Sequence, residues 1–233
     1  MLILAFETSA KAASVCLWQD GQLLAESYQN TGLTHSQTLL VMAEDLLKQC
    51  SLSVAAVTHV AVANGPGSFT GVRIGVAAAK GFAWGGDLPL VGVSTLEAMA
   101  LSLGIWEGTV CACMDARRGQ VYNALFRAEK GTLTRLTEDR AIALSDLAPE
   151  LEAVTGPVFL VGDGAALAHR TLAATLPGLV LVPEHRRHQR ATGVALAAAE
   201  SIARGEAVSG AALTPNYLRL SQAERERLER SRA

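Results

Sequence analysis

The sequence is poor in charge, in aromatic side chains and in long apolar runs. Charged residues make up 18% and aromatic residues 5% of its 233 residues, whereas hydrophobic residues make up 50%. Such a composition allows a large buried core, with apolar surface left over for a partner. No apolar stretch approaches the roughly 18 residues that a membrane-spanning helix requires. The length of the chain allows one large domain or two small ones. Residues 1–7 lack a basic leader and are typical of a strand, and we expect the protein in the cytoplasm.

Cysteine and histidine, the usual metal ligands, are scarce. The chain has 4 cysteines, which do not make a disulfide framework at this length. Cys111 and Cys113 lie on one face of a predicted strand, where two buried thiols are favoured over a redox or zinc pair. His35 opens a predicted helix, but Leu39 stands four residues on, so the helix lacks the histidine pair that binds a metal. We predict no metal site.

The chain also lacks a basic excess, since its formal net charge is −2. A protein that binds RNA by itself usually carries a basic surface that neutralises phosphates. Two local basic patches occur, at Arg117-Arg118 and at residues 185–190. Solvated loops explain such patches more often than nucleic-acid sites do. We therefore expect any RNA contact to be shared with another chain.

Hydrophobic periodicity and turn signals predict the same order of elements twice. In the first half, strands are predicted at residues 2–8, 13–18, 22–28, 59–63 and 90–93, and helices at 35–50 and 95 to about 103. Another helix is predicted to begin within the glycine-rich segment 64–75 and to reach about residue 84. In the second half, strands are predicted at residues 109–114, 120–127, 132–136, 158–161 and 179–182, and helices near 145–151, 164–176 and 192–204. A meander followed by alternating strands and helices, repeated once, predicts a duplicated α/β fold with two mixed sheets flanked by helices.

This pattern predicts two lobes. Residues 1–104 form the first lobe and residues 105–233 the second lobe, with the segment from about residue 212 packing back on the first lobe. Residues 221–233 alternate acidic and basic side chains, which is typical of a solvated helix. An RNA-contacting arm is the alternative for this tail.

The most informative motif is the run Asn64-Gly65-Pro66-Gly67-Ser68-Phe69-Thr70-Gly71-Val72-Arg73-Ile74-Gly75. Its glycines permit unusual backbone angles, and the start of a helix after a strand leaves free N–H groups that suit an anion. The Gly-Lys-Ser/Thr of a Walker phosphate loop is missing. The candidate anion or nucleotide contacts are Gly65, Gly67, Ser68, Arg73 and Arg117. The alternative is a plain chain reversal in which Gly71 and Gly75 let the helix lie close on its own sheet.

The same run resembles the signature segment of the bacterial tRNA threonylcarbamoyladenosine biosynthesis family TsaB, also called YeaZ. Further matches follow in order: Ile3-Leu4-Ala5-Phe6-Glu7-Thr8-Ser9, Gly92-Val93-Ser94-Thr95-Leu96, Asp115-Ala116-Arg117 with Val121-Tyr122, and Pro215-Asn216-Tyr217-Leu218-Arg219. The resemblance spans nearly the whole chain. It implies the actin/Hsp70/sugar-kinase-like (ASKHA) fold and a non-catalytic subunit that scaffolds and activates the transferase TsaD.

The resemblance also implies a pathway and its partners. TsaD transfers threonylcarbamoyl from its adenylate to the adenosine next to the anticodon in tRNAs that read ANN codons. The chain is expected to form a direct heterodimer with TsaD, with TsaE and TsaC as pathway partners, and to form a homodimer when alone. We expect no tightly bound cofactor, although the resemblance allows ATP or ADP to bind at the interface of the complex.

The groups that nucleotide chemistry needs are missing from two expected hairpins. Enzymes of this fold class hold phosphates and Mg²⁺ with two turns that each pair an acidic residue with glycine. Here the first turn reads Glu7-Thr8-Ser9-Ala10-Lys11 and has no glycine, while the second, Asp115-Ala116-Arg117-Arg118-Gly119, places two arginines before its glycine. Glu7 and Asp115 either help to hold a hydrated metal or cap the next turn. We predict no catalytic residue; an autonomous kinase or ATPase and a metalloprotease-like enzyme are the alternatives.

Two predicted helices carry more apolar surface than a one-sided helix needs. This surplus predicts helix-on-helix docking. The resemblance implies that the partner is TsaD, and a second copy can use the same surface when TsaD is absent. The predicted partner-interface residues are Leu39, Met42, Ala43, Leu46, Gly71, Gly75, Ala78, Ala79 and Phe82. The alternative is that both helix faces are buried inside one domain.

Overall fold

The computed structural model describes residues 1–105 and 107–219, so the predicted tail helix at residues 221–233 lies outside the described residues. The first half contains β1 (Leu2–Glu7), β2 (Ala13–Gln19), β3 (Gln22–Gln29), α1 (His35–Gln49), a 3-10 turn (Val54–Ala56), β4 (His59–Gly65), α2 (Phe69–Gly86), β5 (Leu90–Ser94) and α3 (Thr95–Leu103). The second half contains β6 (Gly108–Arg117), β7 (Gln120–Glu129), β8 (Thr132–Arg135), β9 (Arg140–Ala143), α4 (Leu144–Glu152), β10 (Val158–Val161), α5 (Ala165–Leu172), β11 (Leu179–Leu181), α6 (Glu184–Arg187) and α7 (Ala191–Ala203).

The two halves form sheets with matching connectivity. The first sheet has the order β3-β2-β1-β4-β5, and the second has the order β11-β10-β6-β7-β8 with β9 also paired to β7. In each sheet the central strand, β1 or β6, is antiparallel to the next strand along the chain and parallel to a later one. The two mixed sheets predicted from the sequence are confirmed.

Alternation along the central strands sorts the core into layers, because successive side chains of a strand point to opposite faces. In β1, Leu4 and Phe6 pack with α1 and α2, whereas Ile3 and Ala5 pack with α7. In β6, Cys111 packs with α4 and α5, whereas its neighbours along the strand pack with α3. Helices α3 and α7 therefore lie between the two sheets, and the other two helix pairs cover the outer faces.

Helix α7 lies on the other side of the predicted division at residues 104 and 105 from the sheet that it covers. This helix comes from the second half of the sequence, yet its buried residues pack on the first sheet. It also lies very close to α3, since a Cβ atom added to Gly193 would be 1.9 Å from the carbonyl oxygen of Ala98. The sequence pattern locates the helix but does not specify which sheet it covers.

A polar cluster joins the lobes beside the N-terminus of α3. The Ser94 hydroxyl donates a hydrogen bond to Asp139 at 2.5 Å, and it also accepts one from the backbone N–H of Glu97 at 3.2 Å. The Arg135 guanidinium bridges Glu97 at 3.1 Å and Asp139 at 2.6 Å. Because these partners come from both lobes, the cluster fixes one side of the space between them.

Among the described residues, no helix is long and apolar enough to cross a membrane.

Candidate functional site

A cleft of about 530 Å³ opens between the lobes, where the turns after β1 and β6 face each other. The first turn of α2 forms a third wall. The lining includes Ser9, Lys11, Ser68, Asp115, Arg117 and Arg219. These are the turns at residues 7–11 and 115–119, where the sequence has an acidic residue but not the glycine expected beside it.

Glu7 is buried under the first wall of the cleft and is 1% exposed. Its Oε1 accepts a hydrogen bond from the backbone N–H of Ser9 at 2.6 Å, while Oε2 has no hydrogen-bond partner among the described residues. Burial raises the pKa of Glu7 from 4.5 to about 7, although the hydrogen bonds from Ser9 oppose the rise. The charge of Asp163 raises the pKa further. A buried carboxyl group that is partly protonated at neutral pH is a poor ligand for Mg²⁺, which prefers ionised oxygen ligands.

Asp115 on the facing wall is occupied by its own turn. Its Oδ1 accepts a hydrogen bond from the backbone N–H of Arg117 at 2.7 Å, and its Oδ2 lies 3.2 Å from the Arg117 guanidinium. Arg117 and Arg118 both adopt left-handed backbone conformations, with φ of 66° and 56°. Side chains other than glycine disfavour that region by about 1–2 kcal/mol per residue. The turn thus places two exposed arginines at the mouth of the cleft at an energetic cost.

The glycines of the signature run have close neighbours in their own chain. A Cβ atom on Gly67 would lie 2.5 Å from the backbone oxygen of Ser9, and one on Gly65, where φ is 122°, would lie 2.3 Å from the backbone oxygen of Asn216. The Ser68 side chain caps α2 by accepting a hydrogen bond from the Gly71 N–H at 3.3 Å. Close approach of other parts of the chain therefore accounts for the glycine at residues 65 and 67.

Of the five candidate anion contacts, the structure brings three together in the cleft. Gly67, Ser68 and Arg117 line it. Gly65 instead faces the C-terminal segment, and Arg73 donates a hydrogen bond from its Nε to the Tyr217 hydroxyl at 2.8 Å. Anion binding by the three cleft residues stays a prediction. Sequence spacing missed Lys11 and Arg219, two further cations that line the cleft among the described residues, because neither belongs to a glycine-rich motif.

The predicted partner-interface residues of α1 lie in the core of their own lobe. Leu39, Met42, Ala43 and Leu46 are all buried against the first sheet and α2. The alternative that the sequence left open, burial inside one domain, describes these four side chains. They are not accessible to a partner in this structure, which corrects their assignment as surface contacts.

The glycine face of α2 is also turned inward. A Cβ atom on Gly71 would lie 2.1 Å from the Thr8 backbone oxygen, and one on Gly75 would lie 2.3 Å from the Thr8 hydroxyl oxygen. Ala79 is buried as well, whereas Ala78 and Phe82 are partly buried and pack on the same core. The small residues therefore let α2 approach its own sheet, and their assignment to a partner interface is corrected.

The opposite face of α2 is the exposed one. Ala77, Gly81, Trp84 and Gly85 are all exposed, and a Cβ atom on Gly81 or Gly85 would meet no atom within 4 Å. Trp84 is 88% exposed. On α1, which contacts α2, Leu40 and Val41 are 52% and 55% exposed. We call Leu40, Ala77, Gly81, Trp84 and Gly85 the docking face. The four-residue spacing of Ala77, Gly81 and Gly85 was visible in the sequence beside that of Gly71, Gly75 and Ala79.

An apolar cavity of about 770 Å³ adjoins the C-terminal end of α2. Trp84 and Leu88 form one side, and the segment from Ala207 to Ala211 forms the other. The cavity extends the apolar surface of the docking face past the end of the helix.

The remaining histidine, cysteine and arginine candidates have structural partners. His35 Nε2 lies 2.8 Å from the Ala10 carbonyl oxygen, so the ring makes a hydrogen bond to the main chain. Cys111 and Cys113 are both buried with their sulfur atoms 3.4 Å apart, and the hydrogen bond between them, together with burial, raises the pKa of Cys111. Within residues 1–105 and 107–219, no three histidine, cysteine or acidic side chains are placed to hold a metal ion.

The basic patch at residues 185–190 supports the fold. Arg186 donates a hydrogen bond to the Leu103 carbonyl at 2.9 Å, and Arg190 pairs with Glu26 at 3.2 Å while its guanidinium lies 4.4 Å from the centre of the Tyr28 ring. These arginines hold the segment before α7 against the first lobe.

Comparisons with known proteins give two related kinds of tRNA threonylcarbamoyladenosine protein. The family model described as TsaD, tRNA N6-adenosine threonylcarbamoyltransferase, matches residues 28–227. The chain is 32% identical to the tRNA threonylcarbamoyladenosine biosynthesis protein TsaB of Bacillus subtilis (strain 168), over 98% of this chain and 99% of that protein. It is 37% identical to the protein of the same name from Escherichia coli (strain K12), over 70% of this chain and 72% of that protein.

Solved structures give the same result for the fold. A protein from Pseudomonas aeruginosa with similarity to the peptidase YEAZ superposes with a TM-score of 0.80 at 29% identity, covering 94% of this chain and 99% of that one. The ethanolamine utilization protein EutJ from Carboxydothermus hydrogenoformans, an ASKHA-type protein, gives a TM-score of 0.50 at 15% identity over 84% of this chain and 90% of that one, a likeness of fold alone. The predicted ASKHA fold and the predicted resemblance are confirmed.

Proposed function

We propose a non-catalytic role for this chain, which belongs to the TsaB family of tRNA threonylcarbamoyladenosine biosynthesis proteins. In this role the chain binds the transferase TsaD directly, as a heterodimer, and holds it in an active conformation. TsaE and TsaC act in the same pathway, and tRNA is contacted through the complex in the cytoplasm. The chain itself carries out no chemical step.

The observation that carries this proposal is the docking face. Exposed Ala77, Gly81 and Gly85 have the spacing that lets a second helix approach α2 closely, because interhelical distance depends on the size of the side chains at the contact. Trp84 and Leu40 supply apolar surface to bury beside it. Aromatic residues are enriched in the buried parts of protein interfaces. These exposed apolar side chains are available for burial in an interface.

The match to the TsaD family model supports the choice of partner. Because the chain matches that model over residues 28–227, it is similar to the transferase over both helices of the docking face. Two related chains can pair through equivalent surfaces, as two identical chains do about a two-fold axis. The same face therefore serves a homodimer when TsaD is absent. Binding of TsaD then replaces one copy of the chain.

The cleft residues do not fit a magnesium nucleotide held by this chain alone. Glu7 is buried with a pKa of about 7, and both oxygens of Asp115 are engaged by Arg117. A site of this fold that holds phosphate and Mg²⁺ needs ionised carboxylates that are free to bind the metal, and a glycine at each turn. ATP or ADP is therefore proposed only at the interface with TsaD, where the partner supplies the missing groups.

Reconstitution of tRNA modification tests the proposal. Purified TsaD, with its pathway partners and unmodified tRNA, is assayed for threonylcarbamoyladenosine with and without this chain. We expect the modification to depend on the chain, and we expect the isolated chain to turn over no ATP. ATP turnover by the isolated chain would favour the autonomous kinase or ATPase, and peptide cleavage that a chelator abolishes would favour the metalloprotease. Full modification without the chain would refute the supporting role.

A further inference from the structure

The motif Pro215-Asn216-Tyr217-Leu218-Arg219 crosses from the first lobe to the second. Before it, the backbone of Val208 pairs with Leu90 at the edge of the first sheet. Leu213 is then buried in the core of the first lobe, at a point where a Cβ atom on Gly92 would lie 2.4 Å from the Leu213 side chain. The segment is therefore anchored on the first lobe before it reaches the cleft.

The segment next holds the signature loop through its backbone. The Asn216 N–H donates a hydrogen bond to the Asn64 carbonyl at 2.6 Å, and the Asn64 side chain donates one to the Thr214 carbonyl at 3.2 Å. Gly65 lies directly against Asn216, where a side chain would clash with the Asn216 backbone. The absence of a side chain at Gly65 is thus explained by the passage of this segment.

Tyr217 attaches the segment to the first turn of α2. Its ring stacks on Phe69 with centroids 4.7 Å apart, and its hydroxyl accepts the hydrogen bond from Arg73. The Arg73 guanidinium in turn lies 3.9 Å from the centre of the Phe69 ring. These three side chains form one unit at the end of the helix that carries most of the docking face.

Arg219 then reaches the opposite wall of the cleft. Its guanidinium donates a hydrogen bond to the Ala116 carbonyl at 2.5 Å, next to the turn that carries Arg117 and Arg118. Arg219 and Phe69 both line the cleft. Within a few residues, the segment therefore contacts α2 in the first lobe and β6 in the second.

We propose that residues 213–219 form a strap that couples the docking face of α2 to the opening of the cleft. When the strap is bound, the signature loop, α2 and the turn after β6 move together. When it is released, the second wall separates from α2. The strap is held at the cleft by an aromatic stack and a few partly exposed hydrogen bonds, and elements held in this way open locally without global unfolding.

Coupling of this kind acts in both directions. A partner that binds α2 only while the strap is in place holds the cleft in one state, and a ligand in the cleft changes the affinity of the docking face by the same factor. The effect of the strap on TsaD binding rests on the proposed function, whereas the connection that the strap makes between the lobes does not.

Hydrogen exchange of the full chain tests the connection between the lobes. Tyr217→Ala and Arg219→Ala are compared with the wild type and with Arg204→Ala, a control in which the lost arginine pairs with Glu206 away from the strap. We expect both strap variants to speed amide exchange in residues 115–120 by about tenfold or more, while the control exchanges at the wild-type rate. Tyr217→Phe, which keeps the ring, should lie between the wild type and Tyr217→Ala. Unchanged exchange in residues 115–120 in both strap variants would overturn the proposal.

Binding of TsaD tests the docking half separately. Arg219→Ala leaves the docking face intact, so weaker TsaD binding by about threefold or more would support coupling. Equal TsaD affinity in Arg219→Ala and the wild type would refute it. If TsaD does not use the docking face at all, the exchange result still decides whether the strap joins the lobes.

Discussion

The Thr8 hydroxyl donates a hydrogen bond to the backbone carbonyl of Gly71 at 2.8 Å, which ties the end of β1 to the first turn of α2. Gly75, one turn further along, faces the same hydroxyl. This contact decides which side of α2 is available to a partner. With its glycine side against Thr8, the helix presents Gly81 and Trp84 to solvent.

Gly71→Ala is expected to destabilise the chain. The new Cβ atom would lie 2.1 Å from the Thr8 backbone oxygen, so backbone must shift. Overpacking of this kind costs about 1–3 kcal/mol. Urea unfolding measures the loss, and Gly81→Ala is the matched control, because its Cβ atom meets no atom within 4 Å. The control should be neutral or gain up to about 1 kcal/mol from helix propensity. Equal stabilities of the two variants would contradict the packing of α2.

Glu7 is expected to make stability fall as pH rises. Its pKa is about 7 in the folded chain and 4.5 ordinarily, so between these values the folded state binds more protons than the unfolded state. The free energy of unfolding should then decrease from about pH 4.5 to about pH 7, by about 3 kcal/mol at most, and level off above.

Glu7→Gln isolates this effect, because the amide does not titrate. Urea unfolding of both chains from pH 4.5 to pH 8 should show the variant gaining on the wild type as pH rises toward 7. A stability difference that stays constant across this range would show that Glu7 titrates normally in the folded state.

The cysteines are expected to differ sharply in reactivity. Cys16, Cys111 and Cys113 are buried, whereas Cys50 at the end of α1 is only partly buried. Burial raises the pKa of Cys16 as well, and thiolate is the reactive form. A thiol reagent should modify only Cys50 quickly in the native chain and all four cysteines in denaturant. Loss of the fast phase in Cys50→Ser confirms the assignment, while fast modification of Cys111 would contradict the buried pair.

The strands and most helices could be predicted because each carries a local signal. The apolar alternation of β1 and β2, the Asp20-Gly21 turn and the Ser94 cap all act within a few residues. Two short elements, β9 and α6, were not predicted. Arg140 in β9 is held by Asn123 at 3.1 Å and by Glu150, contacts that are distant in sequence.

The docking face could not be chosen from the sequence alone. Gly71 and Gly75 have the same four-residue spacing as Gly81 and Gly85, so a helical pattern shows two small-residue faces and gives no preference. The choice depends on Thr8, which lies more than 60 residues away and reaches only one face. The placement of α7 on the first sheet likewise depends on contacts with residues that are distant in sequence.

The affinity of TsaD for Gly81→Leu tests the central claim most directly. Leucine fits the open space around Gly81, so the monomer should stay folded, yet it blocks close approach of a partner helix. Ala203→Leu, at an exposed position of α7, is the matched control. We predict that Gly81→Leu weakens TsaD binding by about 30-fold or more, the effect of losing about 2 kcal/mol at an interface centre, while Ala203→Leu binds as the wild type does. Wild-type affinity in a folded Gly81→Leu chain would contradict the docking face and the function proposed from it.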